Sequence, residues 1–244
     1  MSYSRLWLPA LLSMPLMGAA PLLAQPSVDQ ILEKYTEALG GRAACEKVTT
    51  RTMKGTVEIP DDNATGTAQV YAAAPERYRL TLDIAEYGGV IETVLDGDNG
   101  WQKNPDSGVH AMSRTDLAVT RRDHHFYREL RLKELFPKLE AAAGVKVEGR
   151  SVNVITATPA SGPPETLYFD AETGLLLKRD FERVTLEDGI VQYEMFYRDY
   201  RDVDGLKLPA TIEQRSPDST MILKFSEIKN NAAIEDAAFA KPAK

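Results

Sequence analysis

The chain has 244 residues, 43% of them hydrophobic, with a formal charge of −7. That length suits one hydrophobic core or one all-β barrel, which often runs about 200–250 residues as a single domain. The acidic balance argues against nucleic acid, which demands basic surface, and against a polybasic hold on anionic membranes.

Arg5 precedes an apolar run over residues 6–23, broken by Pro9, Pro15 and Pro21 and closed by Ala24. One positive charge, a short apolar stretch and a small residue at its end predict a secretory signal over residues 1–24. Residues 25–244 are then one mature domain. No cysteine follows the apolar run, and no later segment approaches the roughly 20 apolar residues a spanning helix needs. The expectation is an exported, periplasmic protein that is not an integral membrane protein. Cys45 is the only cysteine, so no intramolecular disulfide can form, and it is expected as packing in a short helix over 42–48.

Ser27 and Gln30 have capping-box spacing, and Val28, Ile31, Leu32, Tyr35 and Leu39 follow at helical spacing up to Gly40-Gly41. Such an amphipathic helix must lie on a sheet or across an opening. From Thr50 the period becomes two. Met53, Gly55, Val57 and Ile59 share one face, and Tyr78, Leu80, Leu82 and Ile84 share another. With Asp62-Asn63-Ala64-Thr65 and Asp96-Gly97-Asp98-Asn99-Gly100 as turns, residues 50–101 predict a meander of about five strands. Residues 113–135 contain no Gly or Pro. They predict a helical insertion, and residues 138–144 (KLEAAAG) are expected to finish it as helix.

Strands resume over 145–147, 151–157, 166–169 and 175–183. Residues 189–214 form a hairpin turned at Asp204-Gly205, and residues 220–228 a last strand. In the hairpin Val191, Tyr193, Met195 and Tyr197 point one way. The total is about ten or eleven antiparallel strands, an N-terminal helix and a central helical lid: an open half-barrel.

The tempting chemistry is weak. His124 and His125 are adjacent, so on a helix they point about 100° apart, and nothing in the sequence nominates a third ligand. The Asp96 loop lacks a ligand at its fifth position and has Ser107 where a calcium loop needs Glu. No nucleophile elbow, phosphate loop or dinucleotide fingerprint is present. No catalytic residue, metal or cofactor is assigned. The aromatic and methionine stripes fit either a filled core or a partly unfilled concave interior, and flexible Met would suit varied apolar ligands.

Four segments resemble the outer-membrane lipoprotein-sorting-like family. They are SVDQILEKYTEALGGRAACEKVTTRTMKGTVEI, LYFDAETGLLLKR, YRDYRDVDGLKLPATI and the tail AIEDAAFAKP, which lie in this order between Ser27 and Pro242, so that the match spans nearly the whole mature chain. The resemblance implies the fold of the periplasmic carrier LolA and the receptor LolB: a twisted antiparallel half-barrel closed by helices over a cavity for acyl chains. It carries over no numbered ligand contact. The absent lipid-attachment cysteine is unlike the anchored receptor.

The sequence therefore predicts a soluble, non-enzymatic carrier or binding protein for lipids or lipoproteins. Inner- or outer-membrane transport components are further partners. The alternatives are an envelope-stress sensor or interaction module on the same scaffold, and a metal-dependent hydrolase built on Asp123, His124 and His125. Strand alternation nominates Leu80, Leu82, Trp101, Tyr193, Met195, Leu223 and Phe225 as cavity lining.

Overall fold

The computed structural model describes residues 25–185 and 189–243. The secretory signal expected over 1–24 lies outside the described residues.

The chain opens with α1 (Val28–Ala38), where the Ser27 side chain accepts from the Gln30 backbone N–H and Gln30 closes the capping box. After α2 (Arg42–Glu46) come six antiparallel strands. These are β1 (Thr50–Ile59), β2 (Ala64–Ala73), β3 (Arg77–Ile84), β4 (Gly89–Asp96), β5 (Asn99–Asn104) and β6 (Gly108–Ala111). A helical segment follows, comprising α3 (Arg114–Asp123), a 3-10 turn over Arg128–Leu130, and α4 (Leu132–Leu135). Seven more strands complete the fold: β7 (Lys138–Val147), β8 (Arg150–Thr158), β9 (Glu165–Asp170), β10 (Leu176–Thr185), β11 (Gly189–Val203), β12 (Leu206–Arg215) and β13 (Thr220–Asn230).

All thirteen strands form one open sheet, ordered β6-β5-β4-β3-β2-β1-β13-β12-β11-β10-β9-β8-β7. Each half is a meander, and the first strand pairs with the last at the centre. The two edge strands, β6 and β7, are consecutive in the chain, so the segment over residues 112–137 must cross from one edge to the other. That connection is the lid. It spans the concave face because its ends are fixed on opposite rims.

Two expectations are corrected. The strand count is thirteen, since β6 has only four residues and carries too little apolar alternation to stand out. Residues 138–144 are not helix but most of β7, paired with β8 from Lys138↔Thr158 to Ala142↔Val154. Their Ala and Glu content favours helix, yet Leu139 and Ala141 alternate inward onto the α1 cluster, and the backbone of β8 offers a ladder. Tertiary pairing outweighs propensity here.

The hairpin turn at Asp204-Gly205 takes positive φ at both residues, 55° and 82°, as a two-residue primed turn requires. It also receives α1. The Lys207 N–H donates to Leu39 O at 2.9 Å. A Cβ at Gly40 would lie 2.3 Å from Gly205 O, so only glycine lets the helix end touch that turn. The core is divided. One cluster joins α1, α4, β8 and β9 through Ile31, Tyr35, Leu132, Ile155 and Phe169, with Phe136 just after α4. Another lies across β1–β3 and β13 around Val57, Ala68, Leu82 and Phe225.

Candidate functional site

Between these clusters lies a cavity of about 900 Å³, bounded by the sheet, the lid and the end of α1. It stands near the top of the range of about 300–1,000 Å³ typical of ligand sites. Two rows of paired residues build its wall. One runs Gln102, Thr93, Leu80, Val70, Met53 across β5, β4, β3, β2 and β1. The other runs Met221, Gln214, Met195, Arg179, Leu167 across β13, β12, β11, β10 and β9. All ten face the cavity.

Of the residues nominated from alternation, Leu80, Tyr193, Met195, Leu223 and Phe225 line the cavity. Leu82 has the right face but is 6% exposed, packed into the filled cluster with Val57 and Ala68. Trp101 is a correction. It pairs with Val94, whereas its neighbour Gln102 pairs with Thr93 and faces the cavity. Trp101 therefore lies on the outer face with Arg79 and Val94. There the C-terminal turn Asp236–Phe239 packs, with Arg79 Nη1 donating to Ala238 O at 2.9 Å. A register error of one residue reverses a strand's faces. The strand beginning at Asn99 has only six residues with which to set that register.

The least expected feature of the site is its charge. Glu165, 1% exposed, receives Arg122 Nη2 at 3.2 Å, Arg128 Nη2 at 2.9 Å and Arg179 Nε at 2.9 Å. Asp123, at the end of α3, contacts Arg179 Nη2 at 3.0 Å and is also paired with Arg183. Arg179 and Arg183 flank the Phe181 ring, with guanidinium carbons 4.2 and 4.3 Å from its centroid. These groups tie the lid to β9 and β10. On the opposite side, Arg121 of α3 binds Glu76 and lies 2.9 Å from Asp98, and the Phe126 N–H donates to Pro75 O at 3.0 Å.

Burial raises the Asp123 carboxyl, but the guanidiniums of Arg179, Arg183 and Arg128 outweigh it and hold the group below the usual carboxylate range. Beside it, burial lowers the His124 imidazole to about 4, against the pull of Asp123 and with the push of Arg179, Arg128 and Arg183. His124 is therefore neutral near pH 7, and it stacks on Tyr78 with centroids 3.9 Å apart. His125 uses its Nδ1 to accept the Tyr127 N–H at 3.1 Å. Among the described residues no three His, Cys, Asp or Glu side chains converge as a metal site. Cys45, in α2, is half-buried, packed against the core clusters at the cavity wall, and burial pushes its thiol up, which disfavours the thiolate.

Alternation could have located the buried charges. Arg179 and Arg183 stand two residues either side of Phe181, and Glu165 stands two before Leu167, so each shares the face of an inward apolar residue.

The sheet order, the bridging lid and the cavity can be set beside known structures. A DUF1329 family protein from Desulfovibrio piger matches with a TM-score of 0.60 at 14% identity, over 87% of this chain and 97% of that one. A LolA superfamily protein from Nitrosomonas europaea matches with a TM-score of 0.59 at 15% identity, over 88% and 98%. The chain has the LolA-like fold. A third match is described as a candidate outer membrane lipoprotein-sorting protein domain from Vibrio parahaemolyticus. Its TM-score is 0.58 at 13% identity, over 85% of this chain and 95% of that one. By sequence, the chain matches no protein-family model and no curated protein. At such identities the LolA-like likeness establishes architecture and leaves function to the site itself.

Proposed function

We propose that the protein is a periplasmic carrier or binding protein for lipids or lipoproteins, holding acyl chains in the cavity under its lid. The observation that carries this reading is an unfilled interior of about 900 Å³ walled by Leu80, Val70, Met53, Met195, Met221 and Leu223. A filled core would place side chains there, because protein interiors pack at crystal-like density. Three methionines on the wall suit chains of differing length and branching.

Each methylene buried contributes about 0.8 kcal/mol, so a chain of about fourteen contributes on the order of 11 kcal/mol before immobilisation costs are subtracted. The lid supplies a route of entry. Its second part is packed into the core through Leu132 and Phe136, but α3 has no residue in that core and is held by ion pairs of Arg121, Arg122 and Asp123. No helix among the described residues is long and apolar enough to cross a membrane. With the secretory signal expected over residues 1–24, this is consistent with a mature chain working between membranes.

Native mass spectrometry and lipid extraction of the purified protein test the reading. Acyl-bearing ligands should co-purify, and Met195→Trp, which fills the cavity, should lose them. A protein that carries no lipid and takes up no acyl probe would refute it. A protein partner from envelope extracts retained equally by Met195→Trp would favour an interaction module on the same scaffold.

A further inference from the structure

We propose that the ligand is an amphiphile with an anionic head, a carboxylate or phosphate held by Arg128, Arg179 and Arg183 while its chain occupies the apolar wall. This rests on the acyl-chain reading and adds the chemistry of the head group.

The argument is one of charge balance in a buried space. Among the described residues, the guanidiniums of Arg122 and of the wall residues Arg128, Arg179 and Arg183 share two carboxylates, those of Glu165 and of the wall residue Asp123. The other charged residues on the wall cancel: Arg51 and Lys207 stand against Asp116 and Glu129. Among the described residues the cavity thus carries an excess of two positive charges, in a chain whose net charge is −7. Buried charge is costly unless paired, so a surplus of one sign beside an empty volume marks the place of a partner of the other sign.

Donor geometry points the same way. Arg179 is 3% exposed and Arg128 is 7% exposed, and both face the cavity. Arg128 Nε has no hydrogen-bond partner among the described residues. Arg179 Nε and Nη2 lie at ion-pair distance from Glu165 and Asp123 without a well-aligned hydrogen bond. Guanidinium forks match carboxylate and phosphate oxygens in a way an ammonium does not. The apolar residues lie in the same cavity, with Arg179 paired directly to Met195 and Arg183 next but one to Phe181. A free inorganic anion would satisfy the arginines and leave that wall empty. A neutral lipid would do the reverse.

Calorimetric titration of the full mature chain with four twelve-carbon probes below their micellar concentrations separates these cases. The probes are laurate, monododecyl phosphate, dodecanol and dodecyltrimethylammonium. The two anions should bind at least about tenfold more tightly than dodecanol, as a charge-assisted hydrogen bond allows, with the ammonium weakest. Tighter binding of laurate assigns a carboxylate head, and tighter binding of dodecyl phosphate a phosphate head. Arg183 is the most exposed of the four arginines, with a side chain 25% exposed, and so the safest for folding. Arg183→Gln should cut the laurate-to-dodecanol affinity ratio at least about threefold, and Arg183→Lys should restore part of it.

Equal affinity for laurate and dodecanol overturns the head-group assignment and leaves the acyl-chain reading standing. Failure of all four probes overturns both. Inorganic phosphate binding as tightly as dodecyl phosphate overturns the amphiphile.

Discussion

Replacing Glu165 with Gln tests how the lid is held. The carboxylate is 1% exposed, and three guanidinium nitrogens lie within 3.2 Å of it. At an effective dielectric of about 20, each such contact contributes about 5–6 kcal/mol of gross attraction, much of it offset by the cost of taking the charges out of water. Removing the negative member leaves four arginines with Asp123 alone. Breaking a buried pair from one side typically costs about 3–5 kcal/mol, and Glu165→Gln should fall in that range. For a domain of this size that lowers Tm by about 6–20 °C. Urea unfolding followed by circular dichroism measures it, with Glu46→Gln as control. Glu46 pairs with Arg42 on the surface with a side chain 54% exposed, so its loss should stay within about 0.5 kcal/mol. A loss below about 1 kcal/mol for Glu165→Gln would refute the claim that this carboxylate anchors the lid.

Three further outcomes follow from the same structure. His124→Phe keeps the stack on Tyr78 and removes the titration. A folded pKa of about 4 against about 6.5 unfolded means the unfolded chain binds the extra proton as pH falls through that window. Between pH 7 and pH 4.5 the wild type should therefore lose about 2–3 kcal/mol more than the variant in parallel urea titrations, with Asp123, Arg128, Arg179 and Arg183 unchanged in both. Gly55→Ala should cost about 2–4 kcal/mol, because its Cβ would lie 1.9 Å from Lys224 O on the paired strand and neither backbone can yield. Thermal unfolding that matches wild type would contradict the close approach of β1 and β13. Met195→Trp should weaken laurate binding at least about tenfold while changing stability by less than about 1.5 kcal/mol, since it fills space and displaces little packing.

Local chemistry decided much of this protein. The Ser27–Gln30 box and Gly40-Gly41 bound α1, the Asp204-Gly205 turn closes its hairpin, and period-two runs mark most strands and the side of the sheet that holds Leu80, Met195 and Leu223. These follow from spacing, capping and turn geometry, which depend on neighbours in the chain. The half-barrel with a lid was legible because a broad apolar face demanded a cover.

Tertiary structure decided the rest. Residues 138–144 are strand because β8 pairs with them, and Trp101 faces outward because its register is set by β4. The pairing of β1 with β13 joins residues far apart in the chain, such as Arg51 and Asn230, and it turns two meanders into one concave wall. The charge cluster gathers Asp123 from the lid, Glu165 from β9 and Arg179 and Arg183 from β10. Alternation places Glu165, Arg179 and Arg183 on an inward face, but spacing along the chain does not show that they meet. Only the fold removes them from water, and in that setting an imbalance of charge becomes a statement about the ligand.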